Sequence, residues 1–220
     1  MCMKLSQLFL QCLIMPYSQV GNSSNYALVR KKDILYIYFQ KSVGLRDWIV
    51  NFNFPVRPYK KMDDSIWSGH KGFIKEWKII EPKLRKDILN PQLNKIIITG
   101  YSHGAAIALL CHEYVWYHRP DLRETLFGYG FGCPRVFWGI KDKVSDRWKN
   151  FLIIRNGEDI VTHLPPLFLG FSHVGKMLSL KNKINIFLNH SPQRILKELL
   201  LFEENIVLIK FIYDFLNKKG

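Results

Sequence analysis

Cysteine is scarce in this 220-residue chain, and the four present, Cys2, Cys12, Cys111 and Cys133, form no C-x-x-C pair. Zinc-ribbon and thioredoxin-like chemistry therefore have no support in the sequence. The cysteines are expected to be buried free thiols, in keeping with a reducing compartment. No apolar run is long enough to cross a bilayer as a helix. Internal repeats and low-complexity linkers are also missing, so residues 1–220 read as a single domain. Acidic residues are few, 18 against 32 lysines and arginines, which leaves a formal net charge of +14. Such a balance can attract nucleic acid, an anionic membrane surface or an acidic substrate. The basic residues are scattered in twos and threes, as at Arg30-Lys31-Lys32 and Lys60-Lys61, with no aromatic-interleaved stripe. A nucleic-acid partner is accordingly not expected.

What the chain does have is alternation between two kinds of hydrophobic pattern. The N-terminal segment 1–20, "MCMKLSQLFLQCLIMPYSQV", carries apolar residues interrupted by Gln7 and Gln11. That pattern predicts an amphipathic helix rather than a secretory signal, and a cytoplasmic location is the expectation. "NYALVRKKDILYIYFQ" predicts strands over Tyr26–Arg30 and Ile34–Gln40 joined by a turn, and "WIVNFNFPVRPY" a loop followed by a short strand. "GFIKEWKIIEPKLRKDIL" has helical spacing that Pro82 is expected to interrupt. A strand over Lys95–Thr99, a helix from His103 to about His118, and strands at "ETLFGYGFG", "NFLIIRN", "VGKMLSL" and "KINIFL" follow. Residues 192–220 close the chain as one or two amphipathic helices, either packed on the sheet or lying on a membrane. Strands alternating with helices indicate an α/β protein, a mostly parallel central sheet flanked by helices.

The sharpest feature is "KIIITGYSHGAAIALL", Lys95–Leu110, where a β-branched run gives way to an Ala/Leu helix across Gly100-Tyr101-Ser102-His103-Gly104. A strand-to-helix elbow of this G-x-S-x-G form lifts the serine hydroxyl clear of the sheet. It also places the next backbone N–H, that of His103, at a helix start where an oxyanion can be held. The bland alternative is a tight structural turn. A serine nucleophile needs a histidine base oriented by a carboxylate, and in this fold the order is Ser, acid, His. Among the later acids Asp159 stands out, because it follows the strand "FLIIRN" and a Gly157-Glu158 turn; a cap for the next turn is its other reading. Of the later histidines, His163 is too close to Asp159, and His190, after "INIFL", is favoured over His173 in "GFSHVG". His70, His103, His112 and His118 read as structural.

Several separate segments then resemble the class 3 lipases, the fungal-type triacylglycerol lipase family of α/β-hydrolases. "FQKSVGLRDWIVNFNF" is similar to the family's oxyanion loop and lid, and "HKGFIKEW" to its H-x-G-F helix start. "ITGYSHGAAIALL" resembles the nucleophile elbow, and "FGCPRV" the G-x-P-R-V strand exit. "RNGEDIVTHLPP" resembles the acid loop, with "GFSHVGKML" and "NHSPQRIL" like the last strand and histidine segment. The resemblance runs from about Tyr36 to Leu196 in the family's order. It implies Ser102 as nucleophile, His190 as general base, Asp159 as its orienter, and an oxyanion hole from the N–H groups of Ser42 and His103. It also implies a lid carrying Leu45, Trp48 and Ile49, with no metal or organic cofactor.

The implied activity is hydrolysis of lipid carboxylic esters, with contact to a lipid or membrane surface. A phospholipase or monoacylglycerol lipase with the same triad is the alternative, which the +14 charge would suit at an anionic interface. Three departures accompany the resemblance. Lys41 stands where the family usually has glycine, Tyr101 precedes the serine and His103 follows it in place of the common leucine, and the segment after His190 is longer than expected. If Lys41 misplaces the oxyanion donor, a non-catalytic lipid-binding protein on a lipase scaffold is the rival from another class.

Overall fold

The computed structural model describes residues 3–20, 24–40, 56–60, 66–140, 146–180 and 188–217. The β-branched and aromatic runs form the strands. β1 (Ser18–Val20), β2 (Ser24–Lys31) and β3 (Ile34–Phe39) make an antiparallel meander at one edge of the main sheet. β6 (Lys95–Tyr101), β7 (Leu126–Phe131), β9 (Phe151–Asn156) and β11 (Lys176–Leu180) then add in parallel to β3. The order is β1-β2-β3-β6-β7-β9-β11 in a seven-stranded sheet, so the mostly parallel arrangement is present.

A parallel sheet must be covered on both faces, because its crossovers put helices there. One face carries α2 (Lys71–Ile88) and α3 (His103–His118), which bury Phe73, Trp77, Leu84, Ala105, Leu109 and Val115 against Ile96, Ile98, Phe151 and Ile153. The other face carries α1 (Leu5–Ile14) and the start of α4 (Pro192–Asn217), burying Leu8, Phe9, Cys12, Ile195 and Leu199 against Tyr38, Tyr101, Phe131 and Ile154. The two helices are joined directly: Ser6 donates from its backbone N–H and its hydroxyl to the Glu203 carboxylate, at 2.9 and 2.6 Å. Cys12, Cys111 and Cys133 are buried free thiols, and Cys2 lies outside the described residues. Among the described residues no helix is long and apolar enough to cross a membrane.

The structure corrects several local expectations. α2 runs unbroken through Pro82. A mid-helix proline costs about 3 kcal/mol, but the helix buries seven side chains from Phe73 to Ile88 along one stripe, and that burial outweighs the penalty. Four short strands also form a second, antiparallel sheet in the order β10-β8-β5-β4. Its members are β4 (Val56–Lys60), β5 (Ile66–His70), β8 (Phe137–Trp138) and β10 (Phe171–Ser172); the first is the short strand expected in "WIVNFNFPVRPY", and the last two, of two residues each, are too short to leave a periodic pattern. Pro58 lies in β4 at the sheet's edge, where its missing N–H costs no ladder bond to a further strand. Of the expected strand "KINIFL", residues 183–187 lie outside the described residues, and Leu188 belongs to a 3-10 turn, Leu188–His190. α4 is one helix; Ile195 and Leu199 are packed on the sheet, while Ile206 and Val207 are exposed.

Phe9 is fully buried, with its ring edge-on to Tyr101 and tilted against Phe131. α1 is therefore part of the cooperative core. Phe9→Ala is expected to lower the unfolding free energy by about 3–5 kcal/mol in a denaturant titration; a change below about 1 kcal/mol would mean that α1 is only loosely attached.

Candidate active site

The site begins at the C-terminal end of β6, where the parallel strands of an open α/β sheet deliver residues to a common edge. The chain turns from β6 into α3 with almost no connecting loop, and only glycines fit the contact. A Cβ on Gly100 would sit 2.2 Å from the Gly104 carbonyl oxygen, and one on Gly104 would sit 2.3 Å from that of Phe39. Between them Ser102 adopts φ 58°, ψ −123°, a conformation that L-residues rarely take. Its N–H donates to the Phe131 carbonyl at 2.8 Å, its carbonyl accepts from Ala105 at 2.9 Å, and its side chain is fully buried. His103 opens α3, so its N–H has no intrahelical carbonyl and lies at the positive helix end. Its imidazole turns away to Glu76, at 2.7 Å.

Asp159 follows β9 and divides its carboxylate between two tasks. One oxygen accepts from the Val161 N–H at 2.9 Å and caps the turn Ile160–His163; the other meets His190 Nδ1 at 2.7 Å. The two readings of Asp159 thus hold together, one oxygen each. His190 Nε2 lies 2.9 Å from Ser102 Oγ. An ionised carboxylate only accepts, so Nδ1 carries the proton and Nε2 offers its lone pair to the serine hydroxyl. Ser102, His190 and Asp159, far apart in the chain, are linked as a continuous hydrogen-bonded relay that can deprotonate the hydroxyl.

His173, the competing histidine, is placed elsewhere: its Nε2–H donates to the Thr162 carbonyl at 2.8 Å. His163 reaches Glu158, and His70 caps α2 by accepting the Gly72 N–H. Ser42, Leu45, Trp48 and Ile49 lie outside the described residues. Among the described residues no His, Cys, Asp and Glu cluster is arranged to hold a metal ion.

Three supporting groups carried no catalytic signal in the sequence. Tyr101 donates its hydroxyl to the His190 carbonyl and stacks its ring on the imidazole, with centroids 5.2 Å apart. Burial of this phenol, with Asp159 nearby, raises its pKa, so it remains a donor. Asn156 Nδ2 donates to the Asn189 carbonyl at 2.8 Å, holding the turn that carries His190. Gly132, at φ +57°, leaves the space for the pair: a Cβ there would come within 2.8 Å of His190 Cε1 and 3.0 Å of the Asp159 carboxylate.

His112, on α3, shows the opposite use of a histidine. Both ring nitrogens are buried without a hydrogen-bond partner, edge-on to Phe151, and desolvation lowers its pKa from 6.5 to about 3. The unfolded chain therefore binds a proton that the folded chain refuses as pH falls from about 6.5 to about 3. Stability should drop across that window by about 1.4 kcal/mol per pH unit on account of this group. His112→Leu should reduce the slope by that amount in denaturant titrations at stepped pH; equal slopes would contradict a neutral buried imidazole.

The arrangement agrees with what the chain is similar to. A family model described as lipase (class 3) matches residues 36–169. A lipase of Rhizomucor miehei is 30% identical over 155 residues, covering 64% of this chain and 40% of the relative. Secreted mono- and diacylglycerol lipase 1 of Fusarium solani is 29% identical over 160 residues, covering 65% and 42%. The chain thus spans about two-fifths of the length of these curated relatives. Among solved structures, the Rhizomucor miehei triacylglyceride lipase superposes with a TM-score of 0.59 at 26% identity, covering 74% of this chain and 67% of that one. A triacylglycerol lipase whose catalytic centre is described as a serine protease triad gives 0.60 at 26% identity, covering 76% and 66%.

Proposed function

The chain belongs to the class 3 lipase family, and on that premise we propose that it hydrolyses carboxylic esters of lipids through an acyl-enzyme on Ser102. The observation that carries this reading is the relay from Ser102 Oγ through His190 to Asp159, at 2.9 and 2.7 Å. His190 takes the hydroxyl proton as Ser102 attacks the ester carbonyl, then returns it to the departing alcohol. Water repeats the cycle to release the acid. Asp159 holds the ring in the tautomer that leaves Nε2 bare and stabilises the imidazolium as it forms. The His103 N–H, at the start of α3, donates to the tetrahedral oxyanion, with Ser42 as the second donor. No step requires a metal or organic cofactor.

The relatives are named for acylglycerols, so an acylglycerol is the substrate class. Ser102 is fully buried in this state, and an ester carbonyl reaches it only after neighbouring residues move. The strain at Ser102 and its position between strand β6 and helix α3 favour this reading over an inert turn.

Hydrolysis of a mono- or triacylglycerol emulsion by purified variants tests the roles. Ser102→Ala and His190→Ala should each lower kcat by about 10⁶-fold and Asp159→Asn by about 10⁴-fold, with His173→Ala retaining turnover. Loss of turnover in His173→Ala with His190→Ala still active would overturn the assignment of the base.

A further inference from the structure

Ser102 and Asp159 leave the ends of β6 and β9, but His190 belongs to no strand. It closes the 3-10 turn Leu188–His190, just before α4 begins at Pro192. The distance from the base to the serine is therefore set by bonds that reach this turn from elsewhere in the chain. Asp159 meets the imidazole at 2.7 Å, and Asn156 Nδ2 donates to the Asn189 carbonyl at 2.8 Å. Both come from β9 and its exit. Tyr101 comes from the end of β6, and its hydroxyl donates to the carbonyl of His190 itself.

Tyr101 is also the residue joined by a peptide bond to Ser102. One side chain thus spans both partners of the proton transfer, the nucleophile covalently and the base by a hydrogen bond to its own backbone. The phenol has little freedom: it is 2% exposed, meets Phe9 edge-on with centroids 5.4 Å apart, and stands on a strand whose ladder pairs Tyr101 with Phe131. A ring packed in this way holds its hydroxyl at a fixed reach from the Ser102 backbone. The ring acts on the base as well. It stacks on the imidazole, with centroids 5.2 Å and planes 25° apart, which opposes rotation of the imidazole away from the serine. The same aromatic face is attractive to the imidazolium that forms when the serine proton is taken.

We propose that Tyr101 is a positioning residue for the general base. Its hydroxyl fixes the His190 backbone, its ring fixes the imidazole, and together they maintain the 2.9 Å between Nε2 and Ser102 Oγ. The role rests on the hydrolytic reading of Ser102 and His190, and adds to it the residue that sets their spacing. The bond from Tyr101 to the His190 carbonyl is buried, and a buried acceptor deprived of its donor bears the cost of its lost hydration. In Tyr101→Phe the turn should shift to recover a partner, and a displacement of about 1 Å at a reacting group can slow a reaction about 100-fold.

The test is hydrolysis of para-nitrophenyl butyrate, a soluble ester that needs no lipid surface, with each rate divided by the number of sites that a fluorophosphonate titrates at completion. Tyr101→Phe should lower kcat per site by about 10- to 100-fold with KM unchanged, and slow the labelling of Ser102 by a similar factor. Tyr101→Leu, which loses the ring as well, should fall further. Tyr101→Phe keeps the ring against Phe9, so it remains the folded comparison if the leucine variant does not fold. Replacing Tyr101 by para-aminophenylalanine, whose amine can donate from the same place, should recover most of the lost kcat. A merely structural tyrosine would give another pattern: a lower Tm and fewer titrated sites, with kcat per site unchanged in Tyr101→Phe. That pattern would overturn the proposal, as would a loss confined to KM or one that the amine does not recover. A parent chain that neither turns over the ester nor takes the label would remove the hydrolytic reading and this role with it. An active parent with an equally active Tyr101→Phe would remove the role alone.

Discussion

Everything at the catalytic edge depends on how closely one helix approaches one strand. Gly100 and Gly104 let α3 start directly against β6 and β3, at separations where any side chain would collide with backbone oxygen. That approach leaves a single residue to reverse the chain, and Ser102 does so at positive φ. The strained turn aims the hydroxyl along the sheet edge and places the His103 N–H beside it. Were the helix further from the strand, the serine would relax and the distance to His190 would be lost. The backbone strain is offset by the burial of Ala105, Ala106, Ala108 and Leu109 behind it.

The remaining parts of the site are held by groups that each serve two ends. Asp159 caps a turn with one oxygen and orients an imidazole with the other. Tyr101 packs against Phe9 on its own face of the sheet while its hydroxyl anchors the His190 backbone. Through that contact α1 and the buried Phe9 brace the residue next to the nucleophile from beneath. Arg135 gathers the carbonyls that follow Asp159. The relay is thus supported from both faces of the sheet, and its precision rests on core packing as much as on its own hydrogen bonds.

The α/β class was legible because strand and helix periods alternate cleanly along the chain, and the elbow because glycines flank a serine at the change of period. The position of Asp159 could be read from its place after a strand. His190 was harder. It was favoured over His173 for following "INIFL", read as a strand; residues 184–187 of that stretch lie outside the described residues, and Leu188 shares a 3-10 turn with His190. Of the small antiparallel sheet only β4 was legible, as the short strand expected in "WIVNFNFPVRPY"; strands such as Phe137–Trp138 are set by their neighbours and carry no period of their own. Nor was the continuity of α2 through Pro82, where tertiary burial overrides a local rule. Gly132 and Tyr101 gained their meaning only from contacts with residues far along the chain.

The most direct measurement of the central claim is peptide mapping of the protein after reaction with a fluorophosphonate, a reagent that labels only an activated serine. The account predicts one stoichiometric adduct on Ser102 in the folded parent protein, and none in His190→Ala. An unlabelled Ser102 in folded protein, or labelling that persists undiminished without the imidazole, would contradict it.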